Sequence, residues 1–331
     1  MRTFLSALIL IVTLVVLYYF SAGTKVKNLV SNKLSGETTD QKVNPSTKVD
    51  ETKKEEKNPV IVAVGDIACE SYLKFKDTCK HFETAELTEK IRPDAVLALG
   101  DEQYDQGSLL NFLRFYDKSW GKFFDKTYPT PGNHEYVTPG AKGYLDYFAE
   151  RAAPQGKTYY SFELGKWKVF SINSNCWAVG GCFNGSAQYN WLKEELQKTS
   201  NDCVMAFWHH PYLSSGKTHG GLDLMEDMWK LLYDYKADVV LSGHEHNFEV
   251  FKPTDEDGTI EVGRGVRQFV VGTGGRNLYE FDIHPYEASE IRASSNYGVM
   301  KMVLKPESYE WGFYTIDSFE PKIQAEYQCV R

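Results

Sequence analysis

The sequence predicts an α/β fold in which two mixed sheets pack as a sandwich with helices outside. Three observations predict it. From Pro59 onward, apolar strand-type runs alternate with amphipathic helical patterns, as expected of βα units and parallel strands. From Phe248 onward the pattern becomes mostly β, which adds further strands to that core. Strand after strand also stops in a short turn rich in Asp, Asn or His, at the sheet edge where α/β folds gather ligands.

Val60–Val64 is a buried-type strand ending in Gly65-Asp66, and Glu83–Ile91 reads as a helix stopped by Arg92-Pro93. Ala95–Leu99 is the next strand, ending in Gly100-Asp101 and leading to Tyr104. A helix follows with Leu109, Leu113 and Tyr116 on one face. Thr127–Pro131 is short and extended and runs into Gly132-Asn133-His134-Glu135. Tyr159–Glu163 and Lys168–Asn173 form a hairpin about Gly165-Lys166, and Tyr189, Leu192 and Leu196 align on a helix. Cys203–Trp208 is a strand delivering His209-His210-Pro211. Leu224, Met228 and Leu231 mark a further helix, and Asp238–Leu241 precedes Gly243-His244-Glu245-His246. Gln268–Val271, Gly298–Leu304 and Trp311–Ile316 complete the strands. No internal repeat or second linker interrupts 59–331, which reads as one domain.

The first 58 residues have a different character. Phe4–Phe20 is uncharged and apolar, preceded by Arg2, and Ser21-Ala22-Gly23 offers small residues for cleavage. Residues 1–23 are therefore a signal peptide or a membrane anchor, and either reading exports the protein or tethers it by its N-terminal segment. Residues 24–58 are polar, low in complexity and without aromatics, as expected of a disordered stalk. The net charge of −8 argues against nucleic-acid binding, which needs a cationic surface to displace counterions. The oligomeric state is not legible.

Six cysteines suit an exported, disulfide-bonded domain. Of the 15 possible pairings, position favours Cys69 with Cys79 across a short polar loop and Cys176 with Cys182 across a Gly-Gly turn. Cys203 is left for Cys329. Zinc binding by these residues is the rival, and no Cys-x-x-Cys pair supports it.

Parallel strand ends converge, so Asp66, Asp101, Asn133, His134, His209, His210, His244 and His246 can meet although they span the chain. Carboxylate, amide and imidazole donors together suit hard-to-borderline divalent or trivalent ions. Tyr104 is unusual, because a phenol binds as phenolate only beside a strongly Lewis-acidic ion.

The order Gly-Asp, Gly-Asp-x-x-Tyr, Gly-Asn-His-Glu, His-x-Pro and Gly-His-x-His resembles the calcineurin-like metallophosphoesterases, and within them the purple acid phosphatase branch, including small secreted bacterial and tartrate-resistant forms. The tyrosine of the second motif points to that branch. The resemblance covers 59–331 and implies a four-layer α-β-β-α sandwich with a dimetal site at the carboxyl edge of the strands. It implies a ferric ion held by Asp66, Asp101, Tyr104 and His246. It also implies a divalent iron, zinc or manganese held by Asp101, Asn133, His209 and His244, with Asp101 bridging. His209, rather than His210, matches the ligand position because it stands two residues before Pro211. His134 would contact phosphate or protonate the leaving group, and His219 resembles a substrate-side histidine. His210 is a further candidate for substrate contact.

Two positions depart from the family pattern, Ala68 for glycine in the first motif and Ala206 for valine in the fourth. Neither is a ligand. Gly272-Thr-Gly-Gly-Arg276 lacks the Lys-Ser/Thr end of a P-loop and reads as a tight backbone passage, with Arg276 a candidate for phosphate contact. The implied function is hydrolysis of small phosphate monoesters by a metal-activated water. A phosphodiesterase or nucleotidase on the same site is the alternative, and a catalytically inert, surface-tethered binding protein is the alternative from another class.

Overall fold

The computed structural model describes residues 57–70 and 79–331. Both readings of the run 4–20 fall outside these residues, as does nearly all of the stalk. Among the described residues no helix is long and apolar enough to cross a membrane. Lys57, expected in the solvated stalk, instead reaches Asp94 (3.1 Å).

The first sheet contains β1 (Val60–Val64), β2 (Ala95–Ala98), β3 (Thr127–Pro129), β11 (Gly298–Leu304), β12 (Ser308–Thr315) and β13 (Ser318–Gln328), in the order β13-β12-β11-β1-β2-β3. The second contains β4 (Tyr160–Leu164), β5 (Trp167–Ser171), β6 (Cys203–Phe207), β7 (Val239–Ser242), β8 (Phe248–Phe251), β9 (Arg267–Val271) and β10 (Ser289–Ala293). Its order is β10-β8-β9-β7-β6-β5-β4. In the second sheet parallel pairs occupy the centre and antiparallel pairs the flanks, whereas in the first β1, β2 and β3 pair in parallel along one side and β11, β12 and β13 add antiparallel on the other, so both sheets are mixed, as the sequence predicts.

Strand alternation builds the layers. Ile61 and Ala63 of β1 face the second sheet, packing in one core with Val169, Met205, Leu241 and Phe269. Val62 and Val64, on the opposite face, pack against α1 (His81–Ile91), the helical run 109–126 and α2 (Lys142–Phe148). On the far side, Val204, Ala206 and Val240 meet α3 (Ala187–Lys198) and α4 (Glu226–Asp234). Burial on both faces is why the central strands read as unbroken apolar runs. α1 ends at Arg92, in the left-handed region (φ 56°) before Pro93, and Ser186 caps α3 by accepting from the Tyr189 N–H (3.3 Å).

Three expectations need correction. Leu224 is 64% exposed, because a 3-10 turn, Asp223–Met225, precedes α4 and changes the phase so that Met225 is buried instead. The helix after Ser108 contains a π-helical turn, Phe112–Tyr116, which brings Phe112 and Phe115 inward beside Tyr116. Leu109 and Leu113 are only half-buried. Strands β8, β10 and β13 were not anticipated.

The disulfides are Cys69–Cys79, Cys176–Cys182 and Cys203–Cys329. Beside the first, His81 is buried with Nδ1 3.1 Å from the Cys79 sulfur and no partner for Nε2. Burial holds its imidazole down to about 4, against 6.5 unfolded. The unfolded chain therefore takes up a proton that the folded chain refuses. Stability is fully present above pH 6.5 and falls by about 3 kcal/mol as pH drops toward 4. Urea unfolding of His81→Phe is expected to lose less stability than the parent between pH 7 and 5. Equal losses would place the acid-labile group elsewhere.

Candidate metal centre

The turns that follow the strands put their polar side chains at the seam between the sheets. Asp66, Asp101 and His244 take left-handed backbone conformations (φ 60°, 50° and 70°), which only a well-bonded loop sustains in non-glycine residues. The bonds are present. Asp66 N–H donates to the Gly100 carbonyl (3.1 Å), Ile67 N–H to that of Asp101 (2.9 Å) and Gly243 N–H to that of His209 (2.9 Å). Gly65 N–H donates to the Val271 carbonyl (2.8 Å), from one sheet to the other. Gly132 is required because a Cβ there would collide with the Asp101 carboxylate.

Tyr104 lies at the centre. Its buried hydroxyl is 2.7 Å from Asp66 Oδ1, 2.8 Å from Asp101 Oδ2 and 2.9 Å from His246 Nε2. His209 Nε2 lies 3.4 Å from Asp101 Oδ2, 3.1 Å from the Asn133 amide oxygen and 3.1 Å from His244 Nδ1. The structure thus brings together Asp66, Asp101, Tyr104, Asn133, His209, His244 and His246, in two groups that share Asp101.

Hydrogen bonds fix the tautomers. A carbonyl only accepts, so His209 Nδ1 donates to Leu99 (2.9 Å) and His246 Nδ1 to Asn277 (2.6 Å). Each leaves Nε2 facing the centre as the atom that would bind a metal, the orientation of a metal-binding imidazole. Tyr279 stacks flat on His246 (3.9 Å, 10°).

Charge is concentrated here. Burial alone would raise the Asp101 carboxyl, but the imidazoles of His209, His134 and His244 hold it well below the usual range. Burial would likewise lower His209, and the Asp101 carboxylate outweighs it, raising the imidazole to about 9. Burial, followed by the charge of His209, lowers His244. Burial together with Asp101 and Asp66 pushes the Tyr104 hydroxyl well above 10. Two buried carboxylates, a phenol and inward-facing imidazoles form a donor set that fits hard or borderline cations. The ligand atoms of Asp66, Asp101 and His209 all lie within 4.8 Å of one another. The sulfur-containing groups near Cys79 and Cys203 are disulfides and offer no thiolate.

The remaining candidates form the rim. His134 Nδ1 donates to the Asp105 carbonyl (2.7 Å), and its Nε2 stands 3.9 Å from Asp101 Oδ2. His219 is exposed, its ring 4.3 Å from that of His244. His210 packs its ring against His244 (4.5 Å) and sets Nδ1 on the Ser174 hydroxyl (2.8 Å). Burial lowers its imidazole to about 3. Arg276 pairs with Asp105 (3.0 Å) and covers the Tyr104 ring at 5.0 Å.

Sequence reasoning assigned no role to Glu135 or Glu245. Both are buried. Glu135 accepts from the N–H groups of Gly132 (2.8 Å), Asp101 (2.9 Å) and Gln103 (3.2 Å), joining the second and third motifs. Burial and the Asp101 charge raise its carboxyl to about 7. Glu245 accepts from the N–H groups of His219 and Gly220 (2.8 Å for Gly220), fixing the loop that carries His219. Their place inside the motifs was the available signal; nothing in the sequence marked Asn277 or Tyr279.

The calcineurin-like phosphoesterase family profile matches residues 59–248, more than half of the chain and every turn described above. The chain belongs to the calcineurin-like phosphoesterases. Within that family it is similar to purple acid phosphatases. Purple acid phosphatase 22 of Arabidopsis thaliana is 29% identical over 170 residues, 47% of this chain and 36% of the plant protein. An uncharacterized protein of Mycobacterium tuberculosis is 30% identical over 164 residues, 40% of this chain and 31% of that protein. The chain thus spans about a third of the length of these curated relatives.

Among solved structures, a purple acid phosphatase from yellow lupin seeds superposes with a TM-score of 0.67 at 17% identity, over 82% of this chain and 53% of that one. GAP50, described as the anchor in the inner membrane complex of Plasmodium, gives 0.58 at 16% identity, over 82% and 89%. Both share the fold.

Proposed function

We propose that this chain is an exported dimetal phosphatase acting on small phosphate monoesters. The observation that carries the reading is that seven donors from both sheets meet in two groups, one about the Tyr104 hydroxyl and one about His209 Nε2, which share the Asp101 carboxylate. Asp66, Asp101, Tyr104 and His246 would hold a ferric ion; Asp101, Asn133, His209 and His244 would hold divalent iron, zinc or manganese. When bound, two such ions supply Lewis acidity to phosphoryl oxygens and acidify a water.

The chain's own residues handle orientation and protons. The Asp105 carbonyl fixes the hydrogen on His134 Nδ1, so Nε2 is the atom presented to substrate. Protonated at Nε2, it can give that proton to a leaving alkoxide. His219, on the loop held by Glu245, is the second proton source. His210 and Arg276 flank the approach, and Asp105 orients the guanidinium. The disulfides support export to an oxidising compartment.

The test is metal analysis of the purified protein together with turnover of phenyl phosphate and a bis-aryl phosphate diester. Two ions per chain and faster hydrolysis of the monoester are expected. Faster hydrolysis of the diester would make it a phosphodiesterase. Absence of both metal and turnover would leave a catalytically inert, surface-tethered binding protein that keeps the fold. Recovery from the cytosol of its source cell with reduced cysteines would overturn export.

A further inference from the structure

We propose that Trp177 is a stacking platform for the aromatic part of the substrate, which would make esters with a planar ring on the leaving-group side (aryl phosphates or nucleoside monophosphates) the preferred class. The proposal rests on the phosphatase reading above and names its substrate.

Large aromatic side chains are mostly buried here, with Trp120, Trp167, Trp208 and Trp229 completely so, yet Trp177 is 73% exposed. Its position is built. Trp177 belongs to the segment that follows β5 past the carboxyl edge of the second sheet. Asn175 Nδ2 donates to the Pro131 carbonyl (3.0 Å), just ahead of Asn133. Ser174 Oγ accepts from the His210 N–H (3.0 Å), on the other side of the centre. Cys176 is bonded to Cys182, and Gly181 N–H closes the loop onto the Cys176 carbonyl (2.7 Å). The loop is therefore fastened to both flanks of the metal centre and to itself.

The indole meets the Tyr136 ring edge-on (5.0 Å, 68°), and the Tyr136 hydroxyl is held by Asn173 Nδ2 (2.7 Å). Tyr136 N–H donates to the Asn133 carbonyl (3.1 Å), so Tyr136, on which Trp177 packs, stands one 3-10 turn, about 6 Å of backbone, beyond a metal-ligand candidate. A leaving group protonated by His134 points away from the ions, and in this proposal its ring reaches that rim. An exposed indole fixed there offers a π surface at little cost in side-chain ordering.

Stacking on the ester acts alike on bound substrate and transition state, so it should appear in KM rather than kcat. KM for phenyl phosphate and for adenosine monophosphate is expected to rise about tenfold in Trp177→Ala, the scale of one base–aromatic stack. In Trp177→Phe much of it should return. KM for glycerol phosphate is expected to stay unchanged in both variants. A rise for only one of the two aromatic esters identifies which source the platform serves.

Binding is read independently of turnover from the fluorescence quenching that phenyl phosphate produces in the parent and not in Trp177→Phe. A parent that is quenched but turns over no ester would refute the phosphatase reading and leave the platform standing. Equal KM for aromatic and aliphatic esters across parent and variants, with no Trp177-dependent quenching, would overturn the proposal.

Discussion

Asp101→Asn is expected to empty both metal positions at once. The side chain keeps its shape and loses the charge shared by the two groups of donors, where the Tyr104 hydroxyl (2.8 Å) and His209 Nε2 (3.4 Å) converge. Removing a residue that merely orients a ligand costs about 10–100-fold in affinity or activity, so losing a bridging carboxylate should exceed 100-fold in kcat/KM. Metal analysis after gel filtration, beside circular dichroism to show an intact fold, separates this from misfolding. A folded variant that retained both ions and near-parent turnover would show that Asp101 does not bridge. Loss of one ion alone would assign it to a single site.

Tyr104→Phe carries the second large effect, and it is visible to the eye. Burial and two carboxylates hold the phenol far above its ordinary range, so it stays protonated unless a strong Lewis acid replaces the hydrogen. Ferric iron does this, and a ferric–tyrosinate pair absorbs visible light by charge transfer; zinc or manganese pairs do not. Protein purified with iron available is expected to be coloured, and Tyr104→Phe colourless. The ring and its contact with His134 (4.3 Å between centroids) remain in the variant, so the spectrum reports the oxygen alone. An active, iron-loaded parent without the band would make Tyr104 a wall of the site and remove the reason for a ferric position.

What could be read from the sequence follows from burial. The strands β1, β2, β6 and β7 are covered on both faces and read as apolar runs, so the polar turns ending them could be placed at one edge before any coordinates. The strands β10 and β13 are edge strands. Their exposed positions (Glu290 and Arg292, Lys322 and Gln324) dilute the apolar signal, and Pro321 sits where the β13 register shifts. Periodicity also misled wherever a turn changed pitch. The π turn at Phe112–Tyr116 and the 3-10 turn at Asp223–Met225 each moved the buried face by a residue or so.

At the site, candidate ligands were legible because their chemistry is unusual at strand ends. The groups that hold them were not. Leu99 and Asn277 act through backbone carbonyls, which carry no residue signature. Glu135 and Glu245 act on backbone N–H groups, whose direction only the folded loops define.

The seam between the sheets has a consequence for how the protein matures. In the proposed assignment each ion draws on both layers: Asp66, Asp101 and Tyr104 follow strands of the first sheet and His246 the second, while Asp101 and Asn133 face His209 and His244. Neither layer alone offers a complete set for either ion. On that assignment metal capture would be a closing event, available only to a chain whose two halves have already docked, and the ions would then act as rivets through the sandwich. They would slow its coming apart more than they speed its assembly. A chain that crosses a membrane unfolded would therefore cross it empty, and the composition of the finished centre would be set by the metals on the far side.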